Sequence, residues 1–130
     1  SACLVGSEMC IRDSVRSRAR YRTSLEVLRY IASRGAVAKS GLMLGLGETE
    51  TEILATLDDL ADAGCSIVTL GQYLRPTMKH YPVAEYVTPQ KFAMYGDLAR
   101  MRGFRYVASA PLVRSSYMAE EALLNFRKED

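Results

Sequence analysis

The feature that most constrains the fold of this chain is a unit that occurs three times: an amphipathic stretch, a glycine, and then an apolar run. The amphipathic stretches place apolar residues three and four positions apart, which is the spacing of a helix with one buried face. The apolar runs are short, as in buried strands. The predicted helices are residues 23–34, 50–63 and 89–102, and the predicted strands are residues 36–44, 66–70 and 104–108.

Residues typical of helix ends flank these predicted helices. Thr49 and Glu52 have the spacing of a capping box, and Thr88 precedes a proline at a first helical position. A glycine follows each helix, where a left-handed residue often ends it: Gly35, Gly64 and Gly103. Helices that alternate with apolar strands predict an α/β fold with a parallel sheet and crossover helices.

The small number of predicted strands limits the architecture. Three parallel strands cannot close a barrel and leave two open edges, although parallel sheets are usually covered on both faces. We therefore predict the C-terminal part of an incomplete, TIM-like α/β barrel. The longest connection, residues 71–87, is long enough to predict a functional loop.

Composition excludes several classes of function. The chain has 130 residues, a formal net charge of +2 and 25% charged residues, which argues against a nucleic-acid or membrane partner. No apolar run approaches the roughly 18 residues that span a bilayer, and the N-terminus lacks the pattern of a signal peptide. We therefore expect a soluble, cytoplasmic protein. The odd number of cysteines, three, argues against a secreted disulfide framework.

The first fourteen residues differ in character from the rest. Residues 8–14 back-translate to the transposon-end adapter used in sequencing libraries. We therefore predict that residues 1–14 are a non-native segment, and that residues 15–130 are the C-terminal part of the barrel plus a C-terminal extension. The alternative is a natural, poorly ordered terminus. On the first interpretation Cys3 and Cys10 have no function, and their spacing fits no common zinc or iron–sulfur motif.

The segment from Gly41 to Glu48 is the first candidate for a ligand site. A predicted strand runs into a glycine-rich turn, and a helix begins at about Glu50. Glycines allow a ligand to approach the backbone closely, and a helix N-terminus offers free N–H groups. In α/β barrels the carboxyl ends of the strands carry the ligand sites. The alternative is a tight turn without a ligand, because short glycine patterns are weak evidence.

Polar residues also follow the second predicted strand, at the same edge of the sheet. Gln72, Tyr73 and Arg75 could face the site; alternatively, Tyr73 packs and Arg75 pairs with a surface carboxylate. His80 is the only histidine, and a lone histidine is more often a packed or hydrogen-bonded loop residue than a ligand. Cys65 lies at the opposite end of a strand and is expected to be a buried, apolar residue.

A last candidate follows the third strand, at residues 114–117. Ser116 is well placed as the N-cap of a final predicted helix, residues 118–126, with Glu120 and Glu121 in its first turn. From the residues alone the cap is the stronger interpretation, because iron–sulfur clusters are usually held by cysteine thiolates rather than by serine.

Several motifs of the chain, taken together, resemble lipoyl synthases. The order and spacing of the family hold from residue 15 to the last predicted helix, and several motifs in register are far more specific than any one of them. The resemblance implies membership of the radical S-adenosylmethionine enzymes, so that the predicted fold is part of a radical SAM barrel. The matching segments are residues 15–16, 24–25, 39–49, 69–74, 82–83, 86–87 and 113–117, together with Tyr21 and His80.

The resemblance also implies an activity, cofactors and a partner. In the family, one 4Fe–4S cluster cleaves S-adenosylmethionine to a deoxyadenosyl radical. That radical abstracts hydrogen from an octanoyl chain on a lysine of a lipoyl carrier protein or domain. A second, auxiliary 4Fe–4S cluster donates sulfur, and two insertions give the lipoyl group. Such cofactors carry the radical chemistry while the protein positions them.

Individual residues receive roles from the same resemblance. Ser116 is implied as a ligand to one iron of the auxiliary cluster, and Arg114 as a residue that orients its loop. Arg16 is implied to lie near the adenosylmethionine pocket. The segment from residue 41 to 48 is similar to the family's G-x-I-x-G-x-x-E strand, with a methionine in place of isoleucine, which implies adenosylmethionine binding by Gly41, Met43, Gly45, Gly47 and Glu48.

The chain departs from the family in three places. Neither of the family's two N-terminal cysteine motifs, C-x4-C-x5-C and C-x3-C-x2-C, occurs in it, so the chain alone should be inactive although the intact protein would be an enzyme. Met118 replaces a common histidine, and residues 17–18 replace a common proline-glycine pair.

Two alternative functions belong to other classes. The first is a non-catalytic α/β module that binds an anion or an adenosyl compound, against which the open strand edges argue. The second is a different radical adenosylmethionine enzyme, against which residues 114–117 argue because that motif is particular to lipoyl synthases.

Overall fold

The computed structural model describes residues 2–5, 15–80 and 82–113, with only the backbone described at residues 2–5 and 15–20. The described part alternates strands and helices along its whole length. The elements are β1 (Ala2–Val5), α1 (Val15–Ser33), β2 (Lys39–Leu44), α2 (Glu50–Asp62), β3 (Ile67–Gln72), α3 (Pro89–Arg100) and β4 (Tyr106–Ser109). The predicted α/β class is therefore confirmed.

The strands form one parallel sheet whose spatial order is the order of the chain, β1-β2-β3-β4. Each strand thus lies beside the one before it, with a helix in each crossover, as in a barrel. In a doubly wound sheet the strand order would reverse. The topology of the described residues is that of part of a TIM-like barrel, as predicted.

The three helices share one core on one face of the sheet. Leu42 and Leu70 point from the strands into this core, where they meet Leu28 of α1, Leu57 of α2 and Phe92 of α3, all at most 1% exposed. Burial of each such side chain contributes roughly 1.5–3 kcal/mol to folding. Because side chains alternate along a strand, Gly41, Met43 and Thr69 lie on the opposite face, which corresponds to the interior of a barrel.

The capping residues predicted for the helices are also confirmed. Thr49 and Glu52 form a reciprocal capping box at the start of α2, and the side chain of Thr88 accepts a hydrogen bond from the N–H of Lys91 at the start of α3. The glycine after each helix has a positive φ, which other residues rarely adopt: 78° at Gly35, 89° at Gly64 and 91° at Gly103.

The observed bounds differ from the predicted ones at both ends of strands and at the start of the first helix. β2 begins at Lys39 rather than at residue 36, because the N–H of Ala36 still bonds the carbonyl of Ile31 at the end of α1. Helix α1 begins at Val15, eight residues before the predicted start. β3 continues through Gln72, since its last two residues still pair with Met43 and Leu44 of β2.

A fourth strand, β1, adds to the three that were predicted. Ala2–Val5 pairs in parallel with β2, so that Cys3 lies opposite Gly41. This segment falls within residues 1–14, which were set aside in the sequence analysis; that these residues are non-native remains a prediction. The final predicted helix, residues 118–126, lies outside the described residues. Among the helices of the described part, none combines the length and apolar character that a membrane span requires.

Candidate functional site

The glycine-rich turn after β2 is closed by a carboxylate of its own chain. Gly45 and Gly47 both have positive φ angles, 109° and 100°. The carboxylate of Glu48 accepts hydrogen bonds from the backbone N–H of Gly45 at 2.5 Å and of Leu46 at 2.9 Å. The two N–H groups that an anion would otherwise approach are therefore already bonded to a negative charge. Glu48 shapes the turn through its backbone contacts.

The start of α2 adds further negative charge beside this turn. The carboxylate of Glu52 accepts hydrogen bonds from the N–H and hydroxyl of Thr49, at 3.2 and 3.1 Å. Glu50 is also in the first turn of the helix. Acidic residues here stabilise the helix, and they make the edge better suited to a cationic or neutral ligand than to phosphate.

The long loop predicted at residues 71–87 packs back against the same turn. The carbonyl oxygen of Gly45 accepts hydrogen bonds from the N–H of Ala84 at 2.8 Å and of Glu85 at 3.2 Å. A Cβ built on Gly45 would lie only 2.5 Å from the carbonyl oxygen of Glu85 and would also overlap the side chain of Gln72. At Gly45 the missing side chain thus makes room for the protein's own loop.

Gly47 differs from Gly45 in what surrounds it. A Cβ built there would meet only the Cβ of Ala84, at 3.8 Å, an ordinary contact distance. The turn therefore has space above Gly47 and none above Gly45. Of the two glycines of this turn, only Gly47 leaves room among the described residues for a ligand to approach the backbone.

Gln72 connects the end of β3 to the returning loop. Its Nε2 donates to the carbonyl oxygens of Tyr73 and Glu85, both at 2.9 Å, and its Oε1 accepts from the N–H of Val87 at 2.9 Å. The side chain is 4% exposed. Gln72 was predicted as a residue that could face a ligand, and this stays a prediction; its side chain hydrogen-bonds to backbone groups of its own chain.

Arg75 and His80 organise the outer part of the loop. The guanidinium of Arg75 donates to the carbonyl oxygens of Thr77 at 3.1 Å, His80 at 3.0 Å and Met78 at 2.6 Å. The Oγ1 of Thr77 and the Nδ1 of His80 are 2.8 Å apart. Among the described residues, the side chain of Arg75 therefore bonds loop carbonyls and no surface carboxylate. His80 is a hydrogen-bonded loop residue.

The face of the sheet away from the helices carries small residues next to the turn. Gly41 lies opposite Thr69 of β3, which lies opposite Ala108 of β4, and Met43 lies opposite Gly71. Gly41 and Thr69 are buried on this face, with Thr69 2% exposed. Barrel ligand sites are found at the carboxyl ends of the strands. Gly41 and Met43 lie on the face opposite the helices, and their role in binding a ligand stays a prediction.

Three predicted site residues lie partly or wholly outside the described part of the structure. Arg16 is in helix α1, near its first turn, and its side chain lies outside the described part of the structure. Ser116 and Arg114 also lie outside the described residues.

The described residues do not by themselves offer a metal site. Within residues 2–5, 15–80 and 82–113, no three His, Cys, Asp or Glu side chains form a group that could hold a metal ion. These residues therefore do not fit an iron–sulfur cluster on their own.

Cys65 is a buried free thiol, as predicted. Burial raises the pKa of Cys65 from 9.0 to about 11, partly offset by hydrogen bonds with the backbone of Ile67 and Ser40. The thiolate is the nucleophile in alkylation, so Cys65 should be inert in the folded protein.

We expect iodoacetamide to modify Cys65 about a hundredfold more slowly in native protein than in urea, measured by mass spectrometry of the peptide that contains Cys65. Equal rates in the two states would contradict the buried position.

Comparison with known proteins identifies relatives of this chain. No family model matches it. The chain is 58% identical to the lipoyl synthase of Bacteroides fragilis over 111 residues, which is 85% of this chain and 38% of that relative. It is 59% identical to the lipoyl synthase of Bacteroides thetaiotaomicron and 56% identical to that of Treponema denticola, again over 85% of its length and 39% and 38% of theirs. The chain therefore belongs to the lipoyl synthase family, and it spans less than half the length of these relatives.

Proposed function

We propose that the full-length protein carrying this chain is a lipoyl synthase, which inserts two sulfur atoms into a protein-bound octanoyl chain to make the lipoyl group. The observation that carries this proposal is the 58% identity to a named lipoyl synthase over 85% of the chain. The 130-residue chain alone should be inactive, because it contains neither cysteine motif of the family.

Two 4Fe–4S clusters and S-adenosylmethionine are the cofactors in this proposal. When bound, they supply the radical and sulfur chemistry. Ser116 would provide an oxygen ligand to the auxiliary cluster, and Arg16 would lie near the adenosylmethionine. Around that cofactor, the proposed contacts are Gly41, Met43, Gly47 and Glu48, on the inner face of β2 and in the turn after it. Gly45 shapes the turn by making room for the returning loop.

The acidic turn supports adenosylmethionine over the alternative of an anion-binding module. The sulfonium of adenosylmethionine is positively charged, and Glu48, Glu50 and Glu52 place negative charge at the turn and the helix start. A phosphate would meet repulsion from these groups and would find the N–H groups of Gly45 and Leu46 already bonded. Within the proposed site, Gly47 allows close approach and Glu48 holds the turn in place.

The proposed substrate is an octanoylated lipoyl carrier protein or domain, and not a nucleic acid or a membrane. Apolar side chains on the loop at this edge support an aliphatic substrate, since Leu74, Met78 and Tyr86 are 47%, 82% and 71% exposed. A cytoplasmic location, where thiols remain reduced, fits the free thiol of Cys65.

The experiment that tests the proposal uses the full-length protein. We first recover the coding sequence upstream of Val15 without transposon-based library preparation, and expect both cysteine motifs there. The protein, reconstituted with iron and sulfide without oxygen and supplied with a low-potential one-electron reductant, should convert an octanoyl-lysine peptide to the lipoyl form only when adenosylmethionine is added. Cleavage of adenosylmethionine without lipoyl product would instead favour a different radical adenosylmethionine enzyme.

A further inference from the structure

Three separate segments meet at the side chain of Gln72: the end of β3, the turn after β2 and the return of the long loop. The carboxamide donates to the carbonyl of Glu85 and accepts from the N–H of Val87. The carbonyl of Gly45 accepts from the N–H of Ala84 and Glu85. Four hydrogen bonds therefore join residues 84–87 to the strand end and to the turn.

Each polar atom of the Gln72 carboxamide has a hydrogen-bond partner. Both hydrogens of Nε2 have carbonyl acceptors, and Oε1 has an N–H donor, so the group uses both of its donors and an acceptor. The side chain is 4% exposed. In a buried environment, a carboxamide bonded in this way stabilises one arrangement of its partners over others.

Ala84 connects this arrangement to the side of the turn on which the ligand is proposed to bind. Its N–H is bonded to Gly45, and its methyl group is the nearest atom to a Cβ built on Gly47, at 3.8 Å. Residues 84–87 therefore form the wall above the open part of the turn. Any shift of that segment would change the space at Gly47.

We propose that Gln72 is a positioning residue, which fixes residues 84–87 against Gly45 and thereby sets the shape of the adenosylmethionine-binding turn. This inference rests on the proposed function, since it assumes that the turn binds adenosylmethionine. Gln72 acts through the backbone of Gly45, Ala84 and Glu85 and not by contact with the reacting atoms.

The test compares variants of Gln72 in the full-length, reconstituted protein. Gln72→Met keeps the volume but removes every hydrogen bond of the carboxamide, and Gln72→Asn is a milder variant whose shorter side chain cannot reach both Glu85 and Val87. We expect the Kd for adenosylmethionine to rise about tenfold in Gln72→Met. The KM for the octanoyl peptide and the iron content should stay within twofold of the wild-type values.

A matched control removes a hydrogen bond elsewhere in the sheet. The hydroxyl of Ser109 donates to the carbonyl of Phe92 at 2.6 Å, on the helix side of β4, so Ser109→Ala should lower stability without changing the Kd for adenosylmethionine. If Gln72→Met binds adenosylmethionine as the wild type does, the proposal is wrong. The proposal is also wrong if Gln72→Met raises the Kd for adenosylmethionine and the KM for the octanoyl peptide by the same factor, and Ser109→Ala raises both as well.

Amide hydrogen exchange separates this inference from the proposed function. If Gln72 positions the turn, Gln72→Met or Gln72→Asn should speed exchange both in residues 84–87 and in residues 45–48, with no ligand present. If exchange becomes faster only in residues 84–87, Gln72 does not couple the loop to the turn, and the proposal is wrong. If the wild-type protein fails to bind adenosylmethionine, the proposed function fails, while the exchange data still decide whether Gln72 couples the loop to the turn.

Discussion

Replacing Gly45 with alanine should destabilise the protein by about 3 kcal/mol or more. The φ of 109° at Gly45 is strained for any residue with a Cβ, which alone costs roughly 1–3 kcal/mol. The new methyl group would also lie 2.5 Å from the carbonyl oxygen of Glu85 and would overlap Gln72. Because that carbonyl is backbone held by hydrogen bonds, the overlap would displace the whole returning loop, and overpacking adds about 1–3 kcal/mol.

Gly47→Ala is the matched control for this prediction. Its φ of 100° imposes a similar strain, but the nearest atom to the new methyl group is the Cβ of Ala84 at 3.8 Å. We therefore expect Gly47→Ala to cost about 1–2 kcal/mol, clearly less than Gly45→Ala. Urea denaturation of the two variants beside the wild type measures the difference. Equal losses would mean that the loop does not close against Gly45 as described.

The fold could be predicted from the sequence because its signals are local. The capping box of Thr49 and Glu52, the N-cap at Thr88 and the helix-ending Gly64 are each determined by residues within a few positions of one another. Strand bounds were less accurate, because pairing depends on distant partners: Gln72 belongs to β3 only since Leu44 of β2 lies opposite it.

The candidate site was predictable in position but not in its internal contacts. The turn after β2 could be located from its glycines, whereas the partners of Gln72 lie 13 and 15 residues along the chain, at Glu85 and Val87. No periodicity or spacing signals a contact between a strand end and a returning loop. For the same reason the sequence did not distinguish Gly45, which faces the loop, from Gly47, which has space above it.

Arg75 is a second residue whose contacts could not be predicted from the sequence. Its charge made a ligand contact or a surface ion pair the two natural predictions, and the ligand contact stays a prediction. Three loop carbonyls accept its hydrogen bonds. A guanidinium presents five N–H donors in a fixed plane, so it can organise a loop as readily as it can bind a carboxylate.

Replacing Ser116 with alanine should abolish most sulfur insertion by the full-length enzyme. In the proposed function the hydroxyl oxygen of Ser116 is a ligand to one iron of the auxiliary cluster, and alanine offers no ligand atom. Loss of groups that only support a metal ligand typically lowers metal affinity or activity by 10–100-fold, so loss of the ligand itself should reduce lipoyl formation by about a hundredfold. Adenosylmethionine cleavage should fall far less, because the turn proposed to bind it is unchanged.

Ser115→Ala is the control, since it removes the adjacent hydroxyl, which has no assigned role as a ligand. We expect this variant to form lipoyl product at a rate within about threefold of the wild type, because it leaves the proposed ligand oxygen of Ser116 in place. The readouts are lipoyl peptide, cleaved adenosylmethionine and iron content, measured on the same reconstituted samples. Normal lipoyl formation by Ser116→Ala would rule out its role as a ligand. The alternative role as a helix N-cap would then predict a modest loss of stability, about 1 kcal/mol, with both activities intact.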